Sequence, residues 1–362
     1  MKRISIIGKL FLSLLLALQL SCVSQLENPL NLEPQLVISG QFSNSPGSRV
    51  IRVLSVEGLD GKGTQLEASG SIYKDGQVFA ELEVNEDGDL ELPANFVVEE
   101  GAAYFAEVIT NGNNVYRSEP QVVQPKLETE SISFEFEEDI ESSRFLGLTV
   151  NRSRIEFFAH VNLPDPQVEK RYYRWVVDEA WNYIESNQDD TCYLANTIFD
   201  NTSSLVTNAS GLLQNGEARV SILDKRLDNT FAHTHFINVY LHSLDAKTFE
   251  FYEKSQRLTS GTGTIYDEVP GPFRGNLSNV ADAEEVVLGW VEFFLADTLR
   301  YRVRRDEINT SVPTQCDDIP GGGPCPPQIP PPGGGLPPPC QCNACAAVLG
   351  QDALNPPDYW VD

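Results

Sequence analysis

Short runs of alternating apolar and polar residues, separated by turn-forming residues, recur in the first third of the chain. Because neighbouring side chains of a strand point to opposite faces, such alternation predicts strands with one buried face. Six runs show it: Leu36–Gly40, Arg49–Leu54, Ala68–Tyr73, Gln77–Val84, Tyr104–Thr110 and Val115–Arg117. Asp75-Gly76 and Asn111-Gly112 each stand between two runs and predict tight hairpins, since such dipeptides tolerate positive φ. Residues 34–125 are therefore predicted to form an immunoglobulin-like or transthyretin-like β-sandwich.

A second β-rich domain is predicted from residue 126 to residue 310. Its strand candidates are Ile132–Phe136, Ile155–Val161, Tyr172–Val177, Ala218–Leu223, Phe236–Leu241, Val286–Leu295 and Leu299–Val303. Residues 182–216 are rich in Asn, Ser, Asp and Thr, and this composition predicts long loops. The best helix candidate is Asp245–Leu258, whose aromatic residues fall near one face and which Ser243 is expected to cap. The predicted fold class is therefore mainly β with one helix.

The first 21 residues have the pattern of a signal peptide. Three basic residues precede the apolar run Leu10–Leu18, which is too short to span a bilayer comfortably and is followed by polar chain. Ser21-Cys22 then resembles the lipobox of bacterial lipoproteins, although Gln19 stands where an apolar residue is usual. Cys22 is thus expected to be lipidated and to begin a tether, residues 22–33, that leads to the first strand.

The charge balance of the chain disfavours two classes of binding partner. The chain has 26 Lys and Arg against 52 Asp and Glu, and removal of residues 1–21 changes its formal net charge from −26 to −29. An acidic surface repels nucleic acid and anionic lipid headgroups, so neither is an expected partner. Membrane contact is instead expected from the acyl chains on Cys22.

The C-terminal extension, residues 311–362, is rich in Pro, Gly and Cys. Apart from Cys22, six cysteines remain as disulfide candidates: Cys192, Cys316, Cys325, Cys340, Cys342 and Cys345. An even number of cysteines in an exported chain favours disulfides. The extension is therefore predicted to be stapled to itself or to Cys192, with the pairing left open. Metal ligation by the closely spaced thiolates is the alternative, which the lack of a nearby His disfavours.

Candidate chemistry is sparse, and neither a cofactor nor a metal is expected. His233 and His235, with His242 nearby, could hold a metal, and the acidic loops at 85–89 and 187–190 could bind calcium. The simpler explanation for the histidines is a strand with polar residues, and the simpler explanation for the acidic loops is that they are turns. The aromatic set Tyr172, Tyr173, Trp175, Trp181 and Tyr183 could contact a ligand, but alternation sends about half of a strand inward. Trp181 and Tyr183 are the two chosen as ligand contacts.

Several segments together resemble one family. They are Val37-Ile38-Ser39-Gly40, Val115-Tyr116-Arg117-Ser118, Tyr172-Tyr173-Arg174-Trp175, residues 271–279, residues 286–292 and Asn355-Pro356-Pro357-Asp358-Tyr359-Trp360. The chain is similar to a family of Bacteroidota outer-membrane lipoproteins whose domain is of unknown function, domain 4249. The resemblance covers nearly all of the mature chain. It implies a surface lipoprotein, commonly encoded beside a TonB-dependent outer-membrane transporter, and it carries over no catalytic residue.

These observations favour a non-enzymatic lipoprotein of the outer membrane, facing the cell exterior. It is expected to dock on an outer-membrane β-barrel, a TonB-dependent transporter, and to help capture a ligand. The alternative is an accessory subunit of a larger export or assembly complex, and a hydrolase is the third hypothesis. The segment from Gly271 to Glu292 is expected to be architectural, with Gly275 and Asn276 serving the backbone path rather than a ligand.

Overall fold

The computed structural model describes residues 34–44, 49–57, 63–93, 96–137, 140–142, 149–151, 153–163, 171–184, 191–197, 205–208, 213–214, 217–259, 273–310, 312, 355–357 and 359–360. The described chain is mainly β, as predicted. The first nine strands are β1 Gln35–Phe42, β2 Arg49–Val56, β3 Gly63–Gln65, β4 Ala68–Lys74, β5 Gln77–Val84, β6 Leu90–Glu91, β7 Ala103–Thr110, β8 Val115–Ser118 and β9 Gln121–Val122.

The second half contains more strands and one described α-helix. The elements are β10 Thr129–Glu137, β11 Ile140–Ser142, β12 Thr149–Asn151, β13 Arg154–Asn162, β14 Tyr172–Ile184, β15 Thr191–Thr197, β16 Leu205–Asn208, β17 Leu213–Gln214, β18 Glu217–Arg226, β19 His235–Leu244, α1 Ala246–Thr259, β20 Leu277–Asn279, β21 Val287–Leu288, β22 Val291–Phe293 and β23 Ala296–Val303. None of the helices in the described ranges is long and apolar enough to cross a membrane.

The first β unit is one continuous hydrogen-bonded path of strands around a single core. Its order is β20-β8-β7-β4-β5-β6-β2-β1-β21, with β3, β9 and β22 paired at its sides. Inward residues of the alternating runs fill the core, including Ile38, Ile51, Ile72 and Tyr104. All six predicted strands of residues 36–117 are confirmed, because alternation fits a sheet with one buried face.

The two predicted hairpins are both present, but their turns differ. Asp75 and Gly76 both have positive φ, 50° and 81°, as a two-residue type I′ turn requires. In the second hairpin the positive φ, 57°, belongs to Asn113 instead of Gly112. The Asn113 amide donates to the Thr110 carbonyl at 2.8 Å, so this is a three-residue loop. The predicted tight hairpin at Asn111-Gly112 is confirmed, with the positive φ one residue later than Gly112.

The second β unit packs two sheets face to face. One has the order β10-β13-β18-β17, and the other has the order β15-β14-β19-β23 with β16 beside β14. Trp175, Phe157 and Val239 lie between them with no exposed surface. The predicted long loop at 182–216 is wrong for part of its length, since β14 runs to Ile184 and β15, β16 and β17 lie within it. Pairing with neighbouring strands outweighs the polar composition there.

The helix is present as predicted, but its cap is different. Asp245 accepts a hydrogen bond from the Thr248 amide at 2.8 Å, which satisfies one of the free donors at the helix start. Ser243, the predicted cap, is a buried residue within β19. The helix bridges the two β units: Phe249 packs against Tyr172, and Phe251 stacks on Trp290.

Residues 277–293 return to the first β unit instead of closing the second. β20 pairs with β8, while β21 and β22 run parallel to β1. The run Val286–Leu295 is therefore two short strands in the first sheet, broken at Gly289, whose φ is 90°. The assignment of this stretch to the second domain is corrected accordingly. Asn276 holds the return in place, because its side chain bonds both the amide and the carbonyl of Val291.

Candidate functional site

A cleft of about 570 Å³ opens at one end of the first β unit. This volume lies within the range usual for small-molecule sites. Its walls combine apolar side chains with amides and one carboxylate, among them Leu66, Val84, Ile109, Glu67, Asn111 and Asn113. Asn111 donates to the Glu67 carboxylate at 2.9 Å, so the two polar walls are joined across the β4–β7 edge. The cleft offers both apolar surface and groups that can donate and accept hydrogen bonds.

The hairpins and turns of the first unit position this cleft. Ala68 pairs with Thr110, which places the start of β4 beside the hairpin that carries Asn111 and Asn113. The Gln65 amide group donates to the Gly88 carbonyl at 2.9 Å and fixes the neighbouring turn. The cleft therefore combines segments that are far apart in sequence, and its shape depends on the register of the whole sheet.

The acidic turn at 85–89 is fixed by its own hydrogen bonds and by an ion pair. The side-chain oxygen of Asn85 accepts from the amides of Asp87 and Asp89 at 3.0 and 2.9 Å. The carboxylate of Asp89 is buried and forms a bidentate pair with Arg52, at 3.2 and 2.8 Å. Residues 85–89 therefore form an acidic turn, which was the simpler of the two explanations that the sequence offered for this segment. The second acidic loop, residues 187–190, lies outside the described residues.

The two predicted ligand contacts, Trp181 and Tyr183, lie on β14 of the second unit and do not line the cleft. Trp181 is half-buried and stacks on His235 with a ring separation of 6.1 Å. Tyr183 is only 5% exposed. Of the other aromatic candidates, Tyr173 and Trp175 are fully buried in the core between the sheets. Burial of Tyr183, Tyr173 and Trp175 favours packing, the alternative that strand alternation had already raised.

His235 belongs to a buried charged cluster. Its Nε2 lies 3.1 Å from a carboxylate oxygen of Glu179, and its Nδ1 lies 3.2 Å from the Thr230 carbonyl. Lys225 donates to the same Glu179 oxygen at 2.8 Å. Burial alone would raise the pKa of Glu179, but the bonds from His235 and Lys225 outweigh it and lower the pKa to about 2. The Glu179 carboxylate on β14 therefore links β18 and β19 through Lys225 and His235.

His235 and His242, two of the histidines named as a possible metal site, do not face each other. His235 and His242 are seven residues apart on β19, so their side chains point to opposite faces of the sheet. Among the described residues there is no group of three His, Cys, Asp or Glu side chains arranged to hold a metal. His242 is buried against Phe294, with ring centres 4.1 Å apart.

A second buried polar cluster joins the two β units. Glu292 on β22 is 1% exposed and accepts a hydrogen bond from Tyr252 of α1 at 2.7 Å. Arg174 of β14 lies 3.4 Å from the same carboxylate oxygen, whereas the other oxygen has no hydrogen-bond partner among the described residues. Burial raises the pKa of Glu292, and Arg174 and the Tyr252 bond oppose this rise. Burial and the nearby Arg174 charge lower the pKa of His242 well below its usual value.

Of the predicted cysteine sites, only Cys192 falls within the described residues. It is fully buried on β15 and is disulfide-bonded. Cys22 and the other five disulfide candidates, Cys316, Cys325, Cys340, Cys342 and Cys345, lie outside the described residues, and so does the partner of Cys192. Lipidation of Cys22 and the stapling of the C-terminal extension therefore stay predictions.

Sequence reasoning missed both the cleft and the Glu292 cluster. The cleft has no local pattern, because four separate segments meet only in the folded sheet. Glu292 did leave a signal: it is the one charged residue in the apolar run Val286–Leu295. A lone acid in such a run points to a buried carboxylate that needs a partner.

One family model matches the chain, over residues 25–300, and it is described as Domain of unknown function (DUF4249). The match spans the first β unit, α1, the returning strands β20–β22 and most of the second unit. No curated protein matches the chain.

Proposed function

We propose a function for this chain, which belongs to the family described as domain of unknown function 4249. The protein is a lipoprotein of the kind found on the outer membrane of Bacteroidota, and it docks on an outer-membrane β-barrel. The barrel is a TonB-dependent transporter, and the protein helps to capture that transporter's ligand on the outer face of the cell. Its role is binding, without catalysis.

The proposed anchor is supported by the amino-terminal sequence. A basic start, an apolar run and Ser21-Cys22 have the order of a lipoprotein signal. Acylation of Cys22 would leave residues 22–33 as the link between membrane and first strand. Twelve residues span at most about 40 Å when fully extended, so the first β unit would stay close to the membrane surface.

The observation that carries the docking proposal is the position of the cleft. Gln35, the first residue of β1, pairs with Val56, and Val56 also pairs with Gly63 of β3. Gln65, at the other end of the three-residue strand β3, lines the cleft. The tether therefore enters the first unit at the end that carries the cleft. A membrane-embedded partner would meet this end first.

The junction between the units supports the same role. Parallel pairing of β21 and β22 with β1, and the contacts of α1 with both units, leave few ways for one unit to move against the other. A rigid body with a cleft at its tethered end suits docking, since little conformational freedom is lost on binding.

Co-purification tests the proposal with two matched variants of β5. Val84 and Val78 lie on this one strand and are similarly exposed, 62% and 58%, but only Val84 lines the cleft. Tagged protein is purified from its native membrane in mild detergent as the parent, Val84→Asp and Val78→Asp. We expect a TonB-dependent transporter to accompany the parent and Val78→Asp, and to be lost from Val84→Asp although that variant melts like the parent.

Two outcomes would overturn the proposal. Retention of a multi-subunit assembly in place of a transporter would favour the accessory-subunit role, and equal loss from both valine variants would remove the cleft from the docking surface. The anchor is tested separately by mass spectrometry of the mature amino terminus. A lipid-modified Cys22 is expected, and a Cys22→Ala protein that keeps its membrane retention would contradict it.

A further inference from the structure

The outer face of the β15-β14-β19-β23 sheet is covered by residues from the other end of the chain. The Tyr359 hydroxyl accepts a hydrogen bond from the Asn238 side chain at 3.1 Å. The Trp360 ring packs edge-on against Tyr193 of β15 and at a steep angle to Phe236 of β19, with both centroid distances 4.8 Å. Two adjacent aromatic residues thus contact two strands of one sheet, β15 and β19. We call residues 355–360 the aromatic segment.

The face beneath the aromatic segment is polar and specifically arranged. Asp178 accepts hydrogen bonds from Asn238 and from Tyr240 at 2.5 and 3.1 Å. Asn238 therefore donates to both Asp178 and Tyr359, so the tyrosine hydroxyl completes a network that starts in the sheet. A hydroxyl at this position is recognised by geometry as well as by ring packing.

Two arginines of β23, Arg300 and Arg302, pair with Asn238 and Phe236 of β19 and so place positive charge on this face. The Arg300 guanidinium lies 4.1 Å from the centre of the Tyr359 ring. Neither Arg300 nor Arg302 forms an ion pair with a described carboxylate, in a chain with twice as many acidic as basic residues. The sequence around the aromatic pair is acidic, Asp358-Tyr359-Trp360-Val361-Asp362. The positive charge of Arg300 and Arg302 is therefore complementary to the negative charge around the aromatic pair.

The link between the aromatic segment and the body of the protein is long. Residues 313–354 separate the segment from Val312 and lie outside the described residues. The connection between the two sets the local concentration of the segment at this face. The same segment on a neighbouring copy has the chemistry required to fill the same face.

We propose that this outer face is a recognition surface for an acidic segment carrying an adjacent Tyr-Trp pair. The chain's own aromatic segment occupies the surface, and the aromatic segment of a second copy can replace it. Copies that share one membrane would exchange these segments because tethering raises their local concentration.

Peptide binding to the full-length protein tests the proposal. The Tyr359→Ala/Trp360→Ala double variant vacates the surface, and a labelled peptide of residues 354–362 is titrated into it with anisotropy as the readout. We expect saturable binding to the double variant, binding about tenfold weaker to the parent because its own segment competes, and none by a peptide with both aromatics replaced by Ala. Trp360→Ala alone, which keeps the Tyr359 contacts, is the second variant if the double variant melts early.

An arginine pair provides the matched control. Arg300→Gln in the double variant should weaken peptide binding about fivefold, as expected for loss of a cation–π contact. Arg154→Gln changes an exposed arginine on the other sheet, paired with Asp224, and should leave binding unchanged. Absence of peptide binding by variants that melt like the parent would overturn the proposal, and so would an equal effect of the two arginine substitutions.

Discussion

Gly275 lies directly against the carbonyl oxygen of Gly289: a Cβ atom on Gly275 would fall 1.6 Å from that oxygen. The Gly275 amide donates to the Val287 carbonyl at 2.9 Å, so the two chain segments are fixed at this separation. Gly289 is equally constrained, since a Cβ there would lie 2.3 Å from the Ile38 carbonyl oxygen. The returning strands can reach β1 only because both positions are glycine, which is the architectural role predicted for this segment.

Replacement of Gly275 should therefore destabilise the protein strongly. No flexible side chain can yield, because the clashing atom is backbone, and the β20–β22 return would have to move. We expect Gly275→Ala to lower the free energy of unfolding by about 3 kcal/mol or more, at the upper end of overpacking effects. Gly112→Ala is the control: its nearest neighbour would be the Asn114 side chain at 3.4 Å, and a change of about 0.5 kcal/mol or less is expected. Urea unfolding measures both, and equal stability of the two variants would contradict the interpretation.

The sequence predicted the strands best where one face of a strand is buried. β7, Ala103–Thr110, contains the predicted Tyr104–Thr110, because Tyr104, Ala106 and Val108 on one face are buried and alternate with partly exposed residues. The long loop assigned to 182–216 failed for the opposite reason. Asn182, the first residue of that range, is a buried strand residue whose side-chain oxygen accepts from the Thr234 amide, a contact that composition does not reveal.

The parallel pairing of strands was the second feature that could not be predicted from the sequence. β1 and β22 are about 250 residues apart, and nothing in either run states which partner it will find. Strand structure was predicted for the apolar run Val286–Leu295, but its place in the first sheet depends on Gln121, Asn276 and Gly289 acting together. The cleft could not be predicted for a similar reason, since its walls meet only after the register of the sheet is set.

The disulfides can be tested without knowledge of their pairing. Cys192 is buried and bonded, which makes a free thiol at this position unexpected. Peptide mapping without reduction should find no free thiol among the six cysteines other than Cys22. Cys192→Ala should lower stability by roughly 2–4 kcal/mol, because it releases a closed loop in the unfolded chain. Two or more free thiols, or zinc bound in stoichiometric amount, would contradict this prediction.

Glu179 should make the protein more stable as the pH rises from about 2 to 4.5. Its pKa is lowered from 4.5 to about 2 in the folded protein, so the folded state binds its proton less tightly than the unfolded state. The stabilisation is present above the unfolded value and is lost as the pH falls through the folded value, and it is on the order of 3 kcal/mol. Urea unfolding of parent and Glu179→Gln between pH 2 and 6 measures it.

A substitution of Lys225 tests whether the charged cluster causes the lowered pKa of Glu179. Its ammonium group bonds the Glu179 carboxylate, so Lys225→Met should bring the pKa of Glu179 back toward its ordinary value. The pH-dependent loss of stability caused by Glu179→Gln should then be smaller in the Lys225→Met background than in the parent. A loss that is independent of pH, or one that Lys225→Met does not reduce, would show that the charged cluster does not hold the carboxylate ionised.

Glu292 should have the opposite pH dependence. Burial raises its folded pKa above the unfolded value, so the folded state binds this proton more tightly. Its contribution is fully present below the unfolded pKa and is lost as the pH rises through the folded pKa. The parent should therefore be most stable relative to Glu292→Gln below pH 4.5 and lose that advantage as the pH rises above this value. Tyr252→Phe removes a hydrogen bond that lowers the pKa of Glu292, so it should move the loss of stability to higher pH.

The direction of this pH dependence is tested by unfolding midpoints of the parent, each single variant and the double variant between pH 4 and 8. A parent that gains stability over Glu292→Gln as the pH rises would mean that the carboxylate at the junction is held ionised by Arg174.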